Sequence, residues 1–356
     1  MRVLAAGDRF VAPALFAAAL RDELADTPLD VAELTGAWPV EPFGPVGSGS
    51  SVVQEASGTE DEMVAALDGA RICLTQMAPL TARVLDACPE LEMVAVCRGG
   101  PVNVDLVAAD RAGVAVAQAP GRNAAAAAEF AVGMILAALR RIPFADAELR
   151  AGRWRGDLYA YQEAGLELDG AVAGLVGYGA IGRIVARVLT AFGATVLVAD
   201  PFVDPVTADA DGVRPVGLEE LLRRSSVVSL HARLTEETRG MIGAEQLAML
   251  PRGAVLVNTA RGGLLDYDAL PGALRSGHLG GLAVDVYDVE PPPPGWPLHG
   301  FPNVVATPHL AGATRQTAHR AARIAAAEVG RYVRGEPLAH PANETGRERA
   351  GAGART

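Results

Sequence analysis

Three polar residues stand just past apolar, strand-like runs. Arg261 follows Ala254 to Asn258. Glu290 lies in DVYDVEP, beyond Gly281 to Val286. His309 lies in TPHLAGAT, after Val304 to Thr307. A guanidinium can hold a carboxylate with two parallel bonds and polarise a neighbouring oxygen. An imidazole can carry a proton near neutral pH. A carboxylate can orient that imidazole and favour its protonated form. These are the groups needed beside a hydride carrier to interconvert a 2-hydroxy acid and a 2-oxo acid. Taken singly, each has an ordinary role: a surface arginine, a solvated loop acid, a satisfied loop histidine. They become a set only if one sheet brings the three strand ends to one crevice.

The hydride carrier has its own signature. In AGLVGYGAIGRIVARVLTAFGATVLVADP, Ala173 to Val176 is a short apolar run, and Gly177-Tyr178-Gly179-Ala180-Ile181-Gly182 follows. A helical pattern then carries Ile184, Val185, Val188, Leu189 and Phe192 on one side. Gly193 ends it, and Ala194 to Ala199 is a second strand closing on Asp200. Strand, turn, helix and strand in this span form a βαβ unit. Gly177 allows the turn, Gly179 the approach of a pyrophosphate, and Gly182 close packing of helix on strand. The helix N-terminus favours the phosphates. Asp200 can bond both ribose hydroxyls and would repel a 2′-phosphate, so NAD is expected rather than NADP.

The elements that must position these residues alternate along the whole chain. Its 356 residues suffice for two domains, and 50% of them are hydrophobic. A net charge of −11 argues against nucleic acid as a partner. Cys73, Cys88 and Cys97 have no metal-ligand spacing, and Cys73 and Cys97 sit in apolar runs. They read as reduced core residues of a cytoplasmic protein. MRVLAAGDRF reads as a strand and not a leader, because Asp8 and Arg9 interrupt it. Ala124 to Leu139 is the most apolar stretch, but it contains Glu129 and is too short to span a membrane.

Strands at Val3 to Ala6, Arg71 to Thr75, Leu91 to Cys97 and Val114 to Ala117 alternate with helices at Ala12 to Leu24, Glu60 to Leu67 and Thr81 to Ala87. This is a small parallel-sheet domain. Pro39 to Ser51, rich in Gly, Pro and Ser, reads as loop. Asn103 or Asp105 is a candidate helix cap. Pro120 to Asn123 breaks the chain at a domain crossing. The helix Ala124 to Arg141 is apolar all round and calls for a large partner surface, for which a second subunit is a candidate. Strands Val227 to Leu230, Ala254 to Asn258, Gly281 to Val286 and Val304 to Thr307 continue the alternation. Thr314 to Val333 is a long helix expected to return to the first domain. Ala342 to Thr356 is polar and Gly-rich and is expected to be disordered.

These residues resemble the D-isomer-specific 2-hydroxyacid dehydrogenases, the group that includes phosphoglycerate dehydrogenase. The likeness covers about residues 1 to 340. It rests on NVDLVAADRAGVAVAQAPGRNAAAAAEFAVGMILA, GLVGYGAIG with Asp200, VNTARGGLLDYDAL, AVDVYDVEP and TPHLAGAT. The resemblance implies two doubly wound parallel-sheet domains. One is a discontinuous flavodoxin-like substrate domain, 1–119 plus 311–340, and the other a Rossmann NAD domain, 120–310. A tail follows at 341–356. It implies Arg261, Glu290 and His309 as the catalytic set, and Gly99 and Gly100 as backbone holders of the substrate carboxylate. Ala180, Ile181, Asp200, Ala232, Ala260 and Asp285 are implied as NAD contacts, joined by Gly177, Gly179, Gly182 and Thr259. Gln76 and Arg98 are further candidate substrate contacts. A homodimer through the helix after Asn123 is also implied.

Two positions depart from the family pattern. Arg98 stands where a small residue is usual and is a candidate reader of a second acidic or phosphorylated group. Arg233 stands where proline is usual, on the adenosine side. Three readings follow: a D-2-hydroxyacid dehydrogenase, a phosphite-type dehydrogenase, and an NAD-sensing interaction protein of corepressor type. Glu290 argues against formate as substrate, because the formate enzymes of this fold carry glutamine there.

Overall fold

The computed structural model describes residues 1–38, 44–48 and 51–352. The chain divides into two compact units, Met1–Asn123 with Ala313–Thr356, and Ala124–Gly312. The crossings fall a few residues later than the sequence pattern predicts.

In the first unit, β1 (Arg2–Gly7) and β2 (Asp30–Thr35) are followed by β3 (Gly44–Ser48) and β4 (Ser51–Ala56), then β5 (Ile72–Thr75), β6 (Met93–Val96) and β7 (Ala115–Ala117). The sheet order is β2-β1-β5-β6-β7, and every pairing is parallel. This is the flavodoxin-type order, with β3 and β4 added as a separate antiparallel hairpin. Alternation along β1 feeds two cores: Val3 and Ala5 pack on one face, Leu4 and Ala6 on the other. Helices cover both faces, which is why ICLT and MVAV are apolar or nearly so and wholly buried. Helix Pro13–Glu23 packs against Arg315–Val333, so the returning helix completes this unit. Asp105 caps the helix Leu106–Arg111 by accepting from Ala108 N–H at 2.9 Å.

Two expectations are corrected here. The Gly-, Pro- and Ser-rich stretch is in part a hairpin, since Gly44–Ser48 pairs with Ser51–Ala56; residues 39–43 and 49–50 lie outside the described residues. The polar C-terminal segment folds back, and Glu344–Ala352 is a helix. The Asn343 side chain accepts from Val116 N–H and donates to the Val114 carbonyl, both at 2.9 Å, which anchors that segment beside β7. Residues 353–356 lie outside the described residues.

In the second unit, the strands are β8 (Val172–Val176), β9 (Thr195–Ala199), β10 (Arg214–Pro215), β11 (Val227–Leu230), β12 (Ala254–Asn258), β13 (Leu279–Val284) and β14 (Val304–Ala306). Their order is β10-β9-β8-β11-β12-β13-β14, again all parallel. The order reverses between β8 and β11, which makes a switch point at the carboxyl ends of those strands. Helix Ala124–Leu139 buries Ala128, Ala131, Met134, Ile135 and Leu139 in this unit's own core, against helix Ala180–Ala191 and strands β12 and β13. Its apolar character is therefore largely accounted for within one chain. Among the described residues no helix is long and apolar enough to cross a membrane.

Candidate active site

The glycine turn after β8 is shaped by crowding on one side and openness on the other. Gly177 has φ 97°, and a Cβ there would lie 2.5 Å from the Ala232 nitrogen. Only glycine meets both conditions. A Cβ on Gly182 would lie 2.5 Å from the Gly177 carbonyl oxygen, so the helix sits directly on the turn. A Cβ on Gly179, by contrast, would meet nothing within 4 Å. Helix Ala180–Ala191 begins there with Gly179 as its cap and no side-chain cap bond. Its first N–H groups thus face open space with the positive end of the helix dipole behind them. Asp200 at the end of β9 is held beside this turn: Oδ2 accepts from Tyr178 N–H at 2.7 Å and Oδ1 from Phe202 N–H at 2.8 Å. An uncapped helix start, an unobstructed glycine and a fixed carboxylate fit a dinucleotide. Ala180, Ile181 and Gly182 form the first helical turn, Ala232 flanks Gly177, and Thr259 and Ala260 follow β12.

Arg261, Glu290 and His309 all belong to the second unit, and each lies beyond the carboxyl end of its strand. His309 Nδ1 is 2.8 Å from Glu290 Oε2. An ionised carboxylate only accepts, so Nδ1 carries the hydrogen and Nε2 is left for a substrate. Glu290 Oε1 accepts from Tyr287 N–H at 3.1 Å, which fixes the carboxylate plane. The Glu290 bond pushes the His309 imidazole above its ordinary value, although burial and the Arg261 charge oppose it. Burial pushes the Glu290 carboxyl up, but the His309 bond and charge, with Tyr287 N–H and Arg261, outweigh it and hold the group low. The pair thus favours carboxylate and imidazolium together, with the Arg261 charge acting on both.

Buried polar residues build the loops that carry this set. Asp285 is fully buried, and its carboxylate accepts from Thr307 Oγ1 at 2.7 Å and from Leu310 and Ala311 N–H, each at 2.8 Å. Those bonds bracket His309, whose backbone is held at φ 53°, a conformation uncommon for a side-chain-bearing residue. Asp285, implied by the resemblance as an NAD contact, therefore has both oxygens committed to the His309 loop. Asn258, also fully buried, does the same for arginine: its Oδ1 accepts from Ala260 N–H at 3.1 Å and its Nδ2 donates to the Arg261 carbonyl at 2.9 Å. The sequence reading does not single out Asn258. Its signal is an amide closing an otherwise apolar strand, AVLVN.

The candidate substrate contacts lie in the first unit. Gly99 and Gly100 follow β6, and neither is crowded, since a Cβ on Gly100 would meet nothing within 4 Å. Gln76 directly follows β5 and is buried. Arg98 does not stand free. Its guanidinium is paired with the Glu55 carboxylate of the β3–β4 hairpin and lies 3.3 Å from Met77 Sδ. The expected reader of a second acidic group thus already has an acid of its own.

Residues 132–311 match the family described as D-isomer specific 2-hydroxyacid dehydrogenase, NAD binding domain. The chain belongs to that family. It is 40% identical, over 72% of its length and 78% of the relative, to a glyoxylate reductase of Korarchaeum cryptofilum. It is 40% identical to a D-3-phosphoglycerate dehydrogenase of Mycobacterium tuberculosis, over 78% of this chain and 52% of the relative. The chain thus spans about half the length of the phosphoglycerate dehydrogenases it matches. Among solved structures, the TT0316 protein of Thermus thermophilus superposes with a TM-score of 0.77 at 34% identity, covering 96% of this chain and 99% of that one.

As a member of this family with an NAD-binding domain, the protein is expected to bind NADH more tightly than NADPH by roughly tenfold or more. That is a modest share of the repulsion between Asp200 and a 2′-phosphate at contact distance. Fluorescence titration with both cofactors checks this. Equal affinity would contradict it and turn attention to Arg233, which is exposed and makes no ion pair among the described residues.

Proposed function

We propose that the protein is an NAD-dependent oxidoreductase that transfers a hydride between the nicotinamide and C2 of a D-2-hydroxy acid or the matching 2-oxo acid. The observation that supports this most is the 2.8 Å bond between His309 Nδ1 and Glu290 Oε2, which favours the protonated imidazole and leaves Nε2 for a substrate. NAD, with its pyrophosphate held at the glycine turn, would supply or take the hydride through its nicotinamide. In reduction, His309 Nε2 gives a proton to the C2 oxygen as it gains charge. Arg261 holds the carboxylate and polarises that oxygen, and Glu290 stabilises the imidazolium before the proton leaves. The direct test is NADH oxidation, followed by its absorbance, against a panel of 2-oxo acids. An interaction protein or a phosphite-type enzyme would leave the whole panel unreduced.

The working assembly we propose is a homodimer. The longest run of exposed large apolar side chains in the second unit lies not on Ala124–Leu139 but just after it. Ile142, Leu149, Trp154, Tyr159, Tyr161 and Leu166 are exposed, with Tyr159 and Tyr161 each more than 90% accessible. Large aromatics so exposed in one stretch are what a second copy would cover. Light scattering should give about twice the 36.7 kDa chain mass at micromolar concentration. Trp154→Ser, Tyr159→Ser and Tyr161→Ser combined should shift the protein to a monomer. A wild-type monomer would refute the assembly.

A further inference from the structure

Within the second unit, one tyrosine touches all three loops that carry Arg261, Glu290 and His309. Tyr287 closes the run Asp285-Val286-Tyr287 that follows β13. Its N–H donates to Glu290 Oε1 at 3.1 Å. Its phenol donates to the Thr307 carbonyl at 2.8 Å, and that carbonyl also accepts from the His309 N–H at 3.0 Å. The carbonyl of Tyr287 lies against Gly262, the neighbour of Arg261, where a methyl group would not fit.

The surroundings hold this ring in place. Asp285 and Tyr287 take the two polar ends of Thr307: the carboxylate accepts from its hydroxyl at 2.7 Å, and the phenol donates to its carbonyl. Between them, the Val286 carbonyl accepts from the Tyr267 hydroxyl. Trp296 packs edge-on against the Tyr287 ring, with centroids 5.2 Å apart, and 6.2 Å from the Tyr267 ring. All three aromatics are buried. Burial, with the charges of Asp285 and Glu290, pushes the Tyr287 hydroxyl up to about 12. It therefore stays a neutral donor at any ordinary assay pH.

The pair needs such a tie. Glu290 and His309 stand on loops after different strands, β13 and β14. Their 2.8 Å bond holds only while those loops keep their spacing. Tyr287 bonds Glu290 with its backbone and the His309 loop with its side chain, so one packed residue sets that spacing.

We propose that Tyr287 is a positioning residue whose phenol holds the His309 loop against the Glu290 carboxylate and thereby sets how strongly the two are coupled. Its effect on rate rests on the oxidoreductase reading above; its effect on the imidazole does not.

Tyr287→Phe tests this, because it removes one hydroxyl and no charge. The Thr307 carbonyl keeps its bond from His309 N–H, so no buried acceptor is left bare. The charges acting on His309, those of Glu290, Asp285 and Arg261, all remain. A changed His309 pKa therefore reports geometry. NMR titration of the histidine ring carbons in the full chain gives that pKa, with His309→Ala identifying the signal. It should move from its raised value toward 6.5, by about half a unit or more. The rate of 2-oxo acid reduction should then fall at correspondingly lower pH. kcat should drop about tenfold, a part of what a full ångström of displacement costs. NADH affinity should be unchanged, and the melting temperature should fall by no more than about 4 °C. A purely structural role would lower kcat and the melting temperature without moving the pKa. A wild-type His309 pKa in Tyr287→Phe, or a shifted pKa with an unmoved pH–rate profile, overturns the inference. If the wild type reduces no 2-oxo acid, the oxidoreductase reading fails, and the titration still decides this one. If Tyr287→Phe does not fold, Trp296→Phe, which withdraws the indole edge from the Tyr287 ring, must shift the pKa the same way, or the inference falls.

Discussion

Replacing His309 with alanine is expected to lower kcat by roughly 10²–10⁴-fold, the usual worth of a positioned general acid. NADH affinity should change little, because the glycine turn and Asp200 are carried by other elements of the unit. The sharper test is the pH dependence. The Glu290 bond raises the His309 pKa above its ordinary value near 6.5. For reduction the active form carries the proton, so the rate should hold at low pH and fall as pH rises through that raised pKa. Glu290→Gln keeps the shape but removes the charge. The fall should then move to lower pH, with activity retained on its acid side. A profile for Glu290→Gln that overlays the wild type would mean the two residues are not coupled, and the proposed mechanism would be wrong.

The second large effect is expected at Gly262, where the side chain is only a hydrogen. The residue is buried, and a methyl group there would overlap the Tyr287 carbonyl and crowd the Asp288 nitrogen. Arg261 is its neighbour on one side of this contact. Tyr287, on the other side, holds Glu290 through its N–H. Gly262→Ala must therefore push apart the loops that carry the guanidinium and the carboxylate. A displacement of about 1 Å in such a set costs on the order of 10²-fold in rate, and overpacking of this kind destabilises by about 1–3 kcal/mol. Gly263→Ala is the matched control: its Cβ would meet the flexible ends of Leu234, at 3.0 Å, and Arg239, at 3.3 Å, rather than backbone. It should stay within about tenfold of wild type, since side-chain shifts can absorb both contacts. Steady-state kinetics with thermal melting on both variants checks this. Similar losses at both positions would show that the packed Arg261 turn is not what positions the site.

Much of this was legible in the residues alone, for a physical reason. Apolar runs of the right length make strands, and intervening helical periods make crossovers, because each pattern is satisfied within a few residues. The turn at Gly177 was legible for the same reason: the steric needs of a tight strand-to-helix connection are local. That Arg261, Glu290 and His309 follow strand ends also came from local pattern. What local pattern cannot carry is which side chains meet across the sheet. Arg98 looked free to read an acid, but a hairpin from a Gly- and Pro-rich stretch brings Glu55, 43 residues earlier, onto its guanidinium. The polar C-terminal segment looked disordered by composition, yet Asn343 bonds the backbone of β7 from 227 residues away and a helix follows. Asp285, implied as a cofactor contact by the resemblance alone, proves to be buried and to bond the loop that carries His309. Composition and periodicity therefore determined the two sheets and the position of each candidate along the chain. Strand register and burial decided which polar groups are paired and which hold loops. Those outcomes depend on contacts between distant segments, and no local propensity encodes them.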